Sequence, residues 1–193
     1  MSVDTGALKT YLLDTNERPL PAVYPRQVSL ALDSTRIQTV IGARRSGKTY
    51  LFYDTMRRIT ASGEPKETCL YLNLEHPMLD GFSPQDASLV VRTWFSLFPG
   101  AADRRLHVFI DEPQVMDTWE SMVRGMHDDG YGIYLTGSSS KLLSREIASS
   151  LRGRATAKTL LPLSFRELLA FRGERDIDVQ VLSTRETAHV RMR

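Results

Sequence analysis

Residues 37–49 read IQTVI-GARRSGK-T, and this stretch decides the fold. IQTVI (37–41) is a short apolar run rich in β-branched residues, the pattern of a buried strand. Gly42 breaks the run. From Lys48 onward, KTYLFYDTMRRI (48–59) carries Leu51, Phe52, Met56 and Ile59 at helical spacing. Between strand and helix, residues 42–49 match G-x-x-x-x-G-K-[ST] without a gap. Gly42 and Gly47 permit backbone angles that turn successive amides inward around phosphate oxygens. The helix beginning near Lys48 aims its N-terminal amides and the positive end of its dipole at the same anion. The phosphate-facing backbone thus runs from Gly42 through Ala43, Arg44, Arg45, Ser46 and Gly47 to Lys48, Thr49 and Tyr50. Lys48 can reach the β- and γ-phosphates, and the Thr49 hydroxyl can ligate Mg²⁺. The expected ligand is ATP or ADP with Mg²⁺. A strand before the motif and a helix after it are the context that separates a phosphate loop from an accidental glycine turn.

Working outward, the same alternation repeats. TCLYLNL (68–74), LHVFI (106–110), YGIYLT (131–136) and ATAKTLL (155–161) read as four more strands. Helices are expected after Pro84, over 116–126, over 141–151 and over 164–171. Ser164 and Glu167 are spaced as a capping box for the last of these. Residues 14–26, with Pro19, Pro21 and Pro25, read as an extended lead-in. Strands alternating with helices predict an α/β domain with a mostly parallel sheet and helices on both faces. DVQVL (178–182) has strand character but no evident partner.

Further candidates sit where apolar strands end. LHVFIDEPQ (106–114) closes on two carboxylates. On a parallel strand beside the phosphate-loop strand, Asp111 would stand near the metal bound by Thr49. Glu112 would stand where a base can orient water for attack on a γ-phosphate. YLTGSSS (134–140) ends the next strand in hydroxyls, so Thr136 or Ser138 is a candidate sensor of that phosphate, with a helix-capping turn as the plain alternative. Arg152 and Arg154 flank Gly153. Either can serve as an arginine presented to a γ-phosphate, in the same chain or from a neighbouring subunit, or be a plain surface arginine. Asn73 and Glu75, at the end of the second strand, can approach the active site, with an ordinary strand terminus the plainer reading. Met116, Trp119, Met122, Val123 and Met126 read as a core stripe.

Composition excludes several classes. The 193 residues are 41% hydrophobic and 25% charged, enough apolar content for a packed core. No run approaches the roughly 18 apolar residues of a membrane span. Asp4 stands where a signal peptide needs positive charge. The single Cys69 precludes an internal disulfide, and the four histidines show no metal spacing. A cytoplasmic setting is expected. The net charge of +2 is too mild to imply nucleic acid. Residues 141–175 hold eight Lys and Arg against three Glu, a local +5. That leaves contact with nucleic acid or an acidic partner open, without the aromatic interleaving that would strengthen it.

With these residues in place, the chain resembles a P-loop ATPase of the AAA+ superfamily. It is most similar to prokaryotic AAA-domain ATPases that carry a second, C-terminal domain. The matching segments are GARRSGKTYL, CLYLNLE, VFIDEPQVMDTWESMVR, YLTGSSSKLLSREIASSLRGR and LLPLSFRELL. The resemblance implies a three-layer α/β/α sandwich with strand order 5-1-4-3-2, ATP hydrolysis with Mg²⁺, and oligomerisation. It also implies that Glu112 is the catalytic glutamate, Ser138 or Thr136 the first sensor, and Arg154 or Arg152 a finger. Pro113 stands where such proteins usually have isoleucine. The expected layout is a lead-in over 1–36, an ATPase domain over 37–172, and a charged tail over 173–193 that begins a further, truncated region. Three functions compete: hydrolysis driving a conformational change in a partner or neighbouring subunit, a nucleotide-binding switch with negligible turnover, and a small-molecule phosphotransferase. The paired carboxylates favour the first.

Overall fold

The computed structural model describes residues 3–137, 151 and 153–172. Five parallel strands form one sheet: β1 Ile37–Ile41, β2 Cys69–Asn73, β3 His107–Asp111, β4 Gly132–Gly137 and β5 Ala155–Thr159. Their order is β2-β3-β4-β1-β5, and every pairing is parallel. Read in reverse, this is the expected 5-1-4-3-2. All five residues of both β1 and β3 are buried, as strands covered on both faces must be.

The pleat divides the strands between two cores. Val40, Phe109 and Tyr134 face α2 (Lys48–Ala61), meeting its Leu51, Phe52, Met56 and Ile59. Phe109 stacks on Tyr134 with ring centroids 4.4 Å apart, and Phe52 meets Phe109 edge-on at 5.2 Å. Alternate residues Ile37, Ile41, Leu70, Leu72, Val108, Ile110, Ile133 and Leu135 face the opposite way. There they pack with α1 (Thr5–Glu17), α3 (Ala87–Leu97) and α4 (Trp119–Asp128). The stripe Met116, Trp119, Met122, Val123 and Met126 lies buried in this second core, as its spacing requires. Cys69 is buried against the α2 side.

Two local expectations are corrected. The lead-in is not extended throughout, because residues 14–17 are the last turn of α1. Asp4 caps that helix, its side chain accepting from the Ala7 amide at 2.7 Å. Leu8, Tyr11 and Leu12 bury a narrow i, i+3, i+4 stripe. The chain is non-helical from Arg18 and runs along α2. Arg57 donates to the carbonyls of Leu20 and Pro21, and Arg58 donates to that of Leu30. The second correction concerns α4, which starts at Trp119 rather than Met116. Pro113–Val115 forms a 3-10 turn and Thr118 adopts φ 57°, so the backbone becomes regular only after both. The expected elements over 141–151 and 178–182 lie outside the described residues. Backbone contacts divide the chain into Met1–Pro162 and Leu163–Arg193. Within the latter, α5 (Phe165–Phe171) opens on the expected capping box, with Ser164 and Glu167 bonded reciprocally.

His107, at the start of β3, is 5% exposed, and its Nδ1 lies 3.3 Å from the Tyr134 hydroxyl. Burial, reinforced by the nearby Arg105 charge, pushes its pKa down from 6.5 to about 4. The unfolded chain therefore takes up a proton at higher pH than the folded one. The neutral imidazole contributes stability fully above pH 6.5, and that contribution is lost as pH falls towards 4, by up to about 3 kcal/mol. A His107→Gln variant is expected to show a shallower loss of thermal midpoint between pH 6.5 and 4 than the wild type. Parallel curves for the two proteins across that window would contradict the assignment.

Candidate nucleotide-binding site

The phosphate loop follows directly from β1. Gly42 is required by proximity: a Cβ there would lie 2.3 Å from the Leu160 carbonyl oxygen and 2.8 Å from Ser46 Oγ. Gly47 is required by backbone angle, since its φ of 95° is one that side chains rarely adopt. Arg45 also takes a positive φ, 63°. As N-cap of α2, Gly47 offers no side-chain acceptor, which leaves the first helical amides to an anion. Ser46 Oγ is buried and, among the described residues, without a hydrogen-bond partner.

Lys48 is 6% exposed. Its Nζ donates to the carbonyls of Gly42 and Ala43, each at 3.1 Å, and lies 4.0 Å from Glu112 Oε1. The lysine arches back over the loop rather than extending into water. A cavity of about 580 Å³ opens beside it, lined by Lys48, Thr49, Arg44, Arg45, Glu112 and Glu75 among others. Tyr50 also borders it and is 55% exposed. Of the two readings of Glu75, the approach to the site is the one this lining supports.

Asp111 ends β3 beside this loop. Strand β3 pairs with β4, and β4 pairs with β1, so the carboxylate stands at the same C-terminal edge as Gly42. It is 5% exposed. Thr49 Oγ1 donates to its Oδ2 at 2.7 Å, Tyr71 donates to the same oxygen at 3.0 Å, and Thr136 donates to Oδ1. Thr136 is fully buried. Its hydroxyl is engaged with the carboxylate rather than facing the cavity opening. Burial and the Asp111 charge both raise the Tyr71 pKa, so the phenol keeps its proton and can only donate to the carboxylate. Glu112 follows with φ 52° and ψ 51°, a left-handed conformation immediately before Pro113. Proline disfavours the right-handed helical region for the residue before it, so the departure from isoleucine bears directly on this turn. Gln114 Nε2 donates to Glu112 Oε2.

These residues fit a Mg-nucleotide. The loop leads into a helix start with no side-chain cap and supplies a hydroxyl at Ser46 that is unpartnered among the described residues and a buried ammonium at Lys48. Thr49 and Asp111 supply the hard oxygen donors that Mg²⁺ prefers. Among the described residues, no group of three or more His, Cys, Asp and Glu gathers to hold a metal ion.

Arg154 stands apart from this site. Ile37 N donates to the Arg154 carbonyl at 2.8 Å, which puts Arg154 at the N-terminal edge of the sheet. Its guanidinium pairs with Asp128 at 3.0 Å. A five-residue strand, about 16 Å at roughly 3.3 Å per residue, separates it from the phosphate loop of its own chain. A same-chain finger role for Arg154 is thus out of reach. Ser138 and Arg152 lie outside the described residues.

Three contributors escaped the sequence reading. Tyr71 is an alternating strand residue whose contact with Asp111 becomes visible only once β2 and β3 are paired. Tyr11 of α1 accepts from the Asn73 amide at 2.7 Å and so anchors the end of β2. Arg26 donates through Nη1 to the Ser46 carbonyl at 2.9 Å and through Nη2 to that of Leu161 at 2.8 Å, tying the phosphate loop to the exit of β5. Among the described residues no helix is long and apolar enough to cross a membrane.

Comparison with known proteins meets this geometry. An uncharacterised protein of Methanocaldococcus jannaschii is 35% identical over 150 residues, 78% of this chain and 32% of that protein. An uncharacterised protein of Haemophilus influenzae is 31% identical over 150 residues, 76% of this chain and 36% of that protein. The chain thus spans about a third of the length of these curated relatives. Among solved structures, PCH-2 of C. elegans aligns with a TM-score of 0.42 at 16% identity, covering 84% of this chain and 44% of that one. AMPPCP-bound DnaA from Aquifex aeolicus aligns with a TM-score of 0.39 at 12% identity, covering 95% of this chain and 56% of that one. The AAA domain family matches residues 34–169, from just before β1 into α5. That span contains the phosphate loop, the Asp111–Glu112 strand end and the whole parallel sheet, and the chain belongs to the AAA domain family.

Proposed function

We propose that this chain binds ATP with Mg²⁺ and hydrolyses it, coupling the reaction to a conformational change in a partner or neighbouring subunit. The observation that carries this reading is the meeting of Lys48, Thr49 and Glu112 at one cavity, with Asp111 accepting from Thr49 behind it. Gly42 to Tyr50 would wrap the phosphates, and Lys48 would exchange its loop carbonyls for phosphate oxygens. Thr49 and Asp111 would hold the metal, which draws charge from the phosphates when bound. Glu112 would accept a proton from the attacking water. Its side chain is 15% exposed, close enough to water to meet a nucleophile yet held by Gln114. Thr136, through Asp111, would orient the metal end of the site, and Ser138 remains the alternative sensor.

Arg154 is the proposed finger, acting on the phosphate loop of a neighbouring copy. Its distance from its own loop supports this direction of transfer. The arrangement makes an isolated subunit a slow hydrolase, because a missing arginine can cost on the order of 10³–10⁵ in rate.

Three measurements test the reading. Lys48→Ala is expected to weaken ATP binding at least tenfold, by calorimetry. Glu112→Gln is expected to bind ATP within a few-fold of wild type while phosphate release falls by about 10²–10⁴. Equal phosphate release from wild type and Glu112→Gln would instead favour a nucleotide-binding switch. For the finger, Arg154→Ala and Lys48→Ala proteins, each inactive alone, are expected to regain turnover when mixed. The Lys48→Ala copy then lends its arginine to the intact phosphate loop of the other. No recovery over a range of mixing ratios would remove Arg154 from the mechanism.

A further inference from the structure

We propose that Tyr71 is a positioning residue of the magnesium site, holding the Asp111 carboxylate in the one orientation that faces Thr49. The proposal rests on the nucleotide-binding reading above and adds a residue to it. Tyr71 lies opposite Phe109, and Asn73 lies opposite Asp111, in the β2–β3 register. Residues two apart on a strand share a face, so Tyr71 and Asp111 are diagonal neighbours on one side of the sheet. Diagonal neighbours are roughly 7–8 Å apart, a gap that a tyrosine spans and a short side chain does not. The phenol reaches Oδ2 at 3.0 Å.

The geometry of the other two donors gives this bond its role. Thr136 comes from β4 and bonds Oδ1, while Tyr71 comes from β2 and bonds Oδ2. The strands β2 and β4 flank β3 on its two sides. The carboxylate is thus pinned at both oxygens from opposite sides, and its plane cannot turn without breaking one bond. Thr49 is the third donor, at 2.7 Å to Oδ2. Thr49 is also the residue whose hydroxyl oxygen would turn to the metal. When it does, Tyr71 and Thr136 are the donors left to keep Asp111 in place. Asp111 is too buried for water to do this work, and a buried carboxylate with fewer donors is costly and mobile. The tyrosine is itself braced: its ring lies 6.0 Å from that of Tyr53, on the same helix as Thr49.

Hydrogen-bond partners of metal-ligating carboxylates typically govern metal affinity by about 10–100-fold. The test uses the full chain and two titrations followed by calorimetry or a fluorescent ATP analogue. One measures ATP affinity in EDTA. The other measures the Mg²⁺ concentration for half-maximal enhancement of ATP binding. Tyr71→Phe keeps the ring and removes only the hydroxyl. Its ATP affinity in EDTA is expected within about twofold of wild type, with Mg²⁺ half-saturation raised about tenfold or more. Thr136→Val, which removes the other anchor, is expected to shift the Mg²⁺ titration in the same direction. A Tyr71→Phe half-saturation within twofold of wild type overturns the proposal. So does an equal fall in affinity with and without Mg²⁺, which would mark the phenol as part of the fold rather than of the metal site. Wild-type protein that binds no ATP in either titration overturns the nucleotide reading itself, a result distinct from both.

Discussion

The buried Asp111 carboxylate organises this molecule. It sits at the C-terminal end of β3, 5% exposed, and accepts hydroxyl hydrogen bonds from three elements: α2 through Thr49, β2 through Tyr71 and β4 through Thr136. An unpaired charge at that depth would be expensive, so the three donors are a condition of the fold as well as of the site. Meeting that condition aligns the helix that follows the phosphate loop with the strand that ends in Asp111. The stability of the sheet and the geometry of the candidate metal site are then one arrangement.

The segment before β1 belongs to that arrangement. Helix α1 buries Leu8, Tyr11 and Leu12 against the sheet, and the Tyr11 hydroxyl accepts from the Asn73 amide at the end of β2. β2 carries Tyr71, so the N-terminal helix reaches Asp111 in two steps. Arg26 makes the matching connection on the other side, from the phosphate loop to the exit of β5. Gly42 lies so near Leu160 that even a methyl group would not fit. The floor of the loop is therefore the end of β5. Changes in either one are felt by the other through a rigid contact.

The polarity of the parallel sheet assigns the ends of the domain different tasks. Every strand delivers its last residue to the phosphate-loop edge, which gathers Gly42, Asp111 and Thr136 there. Arg154 precedes β5 and so lies at the far edge, paired with Asp128. A same-chain role was open while only the spacing around Gly153 was known. Strand direction closes it, because about 16 Å of sheet intervenes.

The chain by itself determined the elements whose signals are local. The gap-free GARRSGKT turn, the β-rich run before it and the helical spacing of Leu51, Phe52, Met56 and Ile59 define the first strand, loop and helix through backbone preference and periodicity. The capping box at Ser164 and Glu167 and the stripe from Met116 to Met126 were equally legible, for the same reason. Helix α1 was not: its apolar stripe is three residues wide, and its burial depends on a sheet that the chain builds much later. Nor was the start of α4, where Pro113 and a left-handed Thr118 delay the helix. Only the tertiary structure could decide that Tyr71 meets Asp111, that Glu75 borders the cavity and that Arg154 faces away. Each depends on which strands lie side by side and in which direction they run, and pairings between residues tens of positions apart leave no periodic trace in the chain.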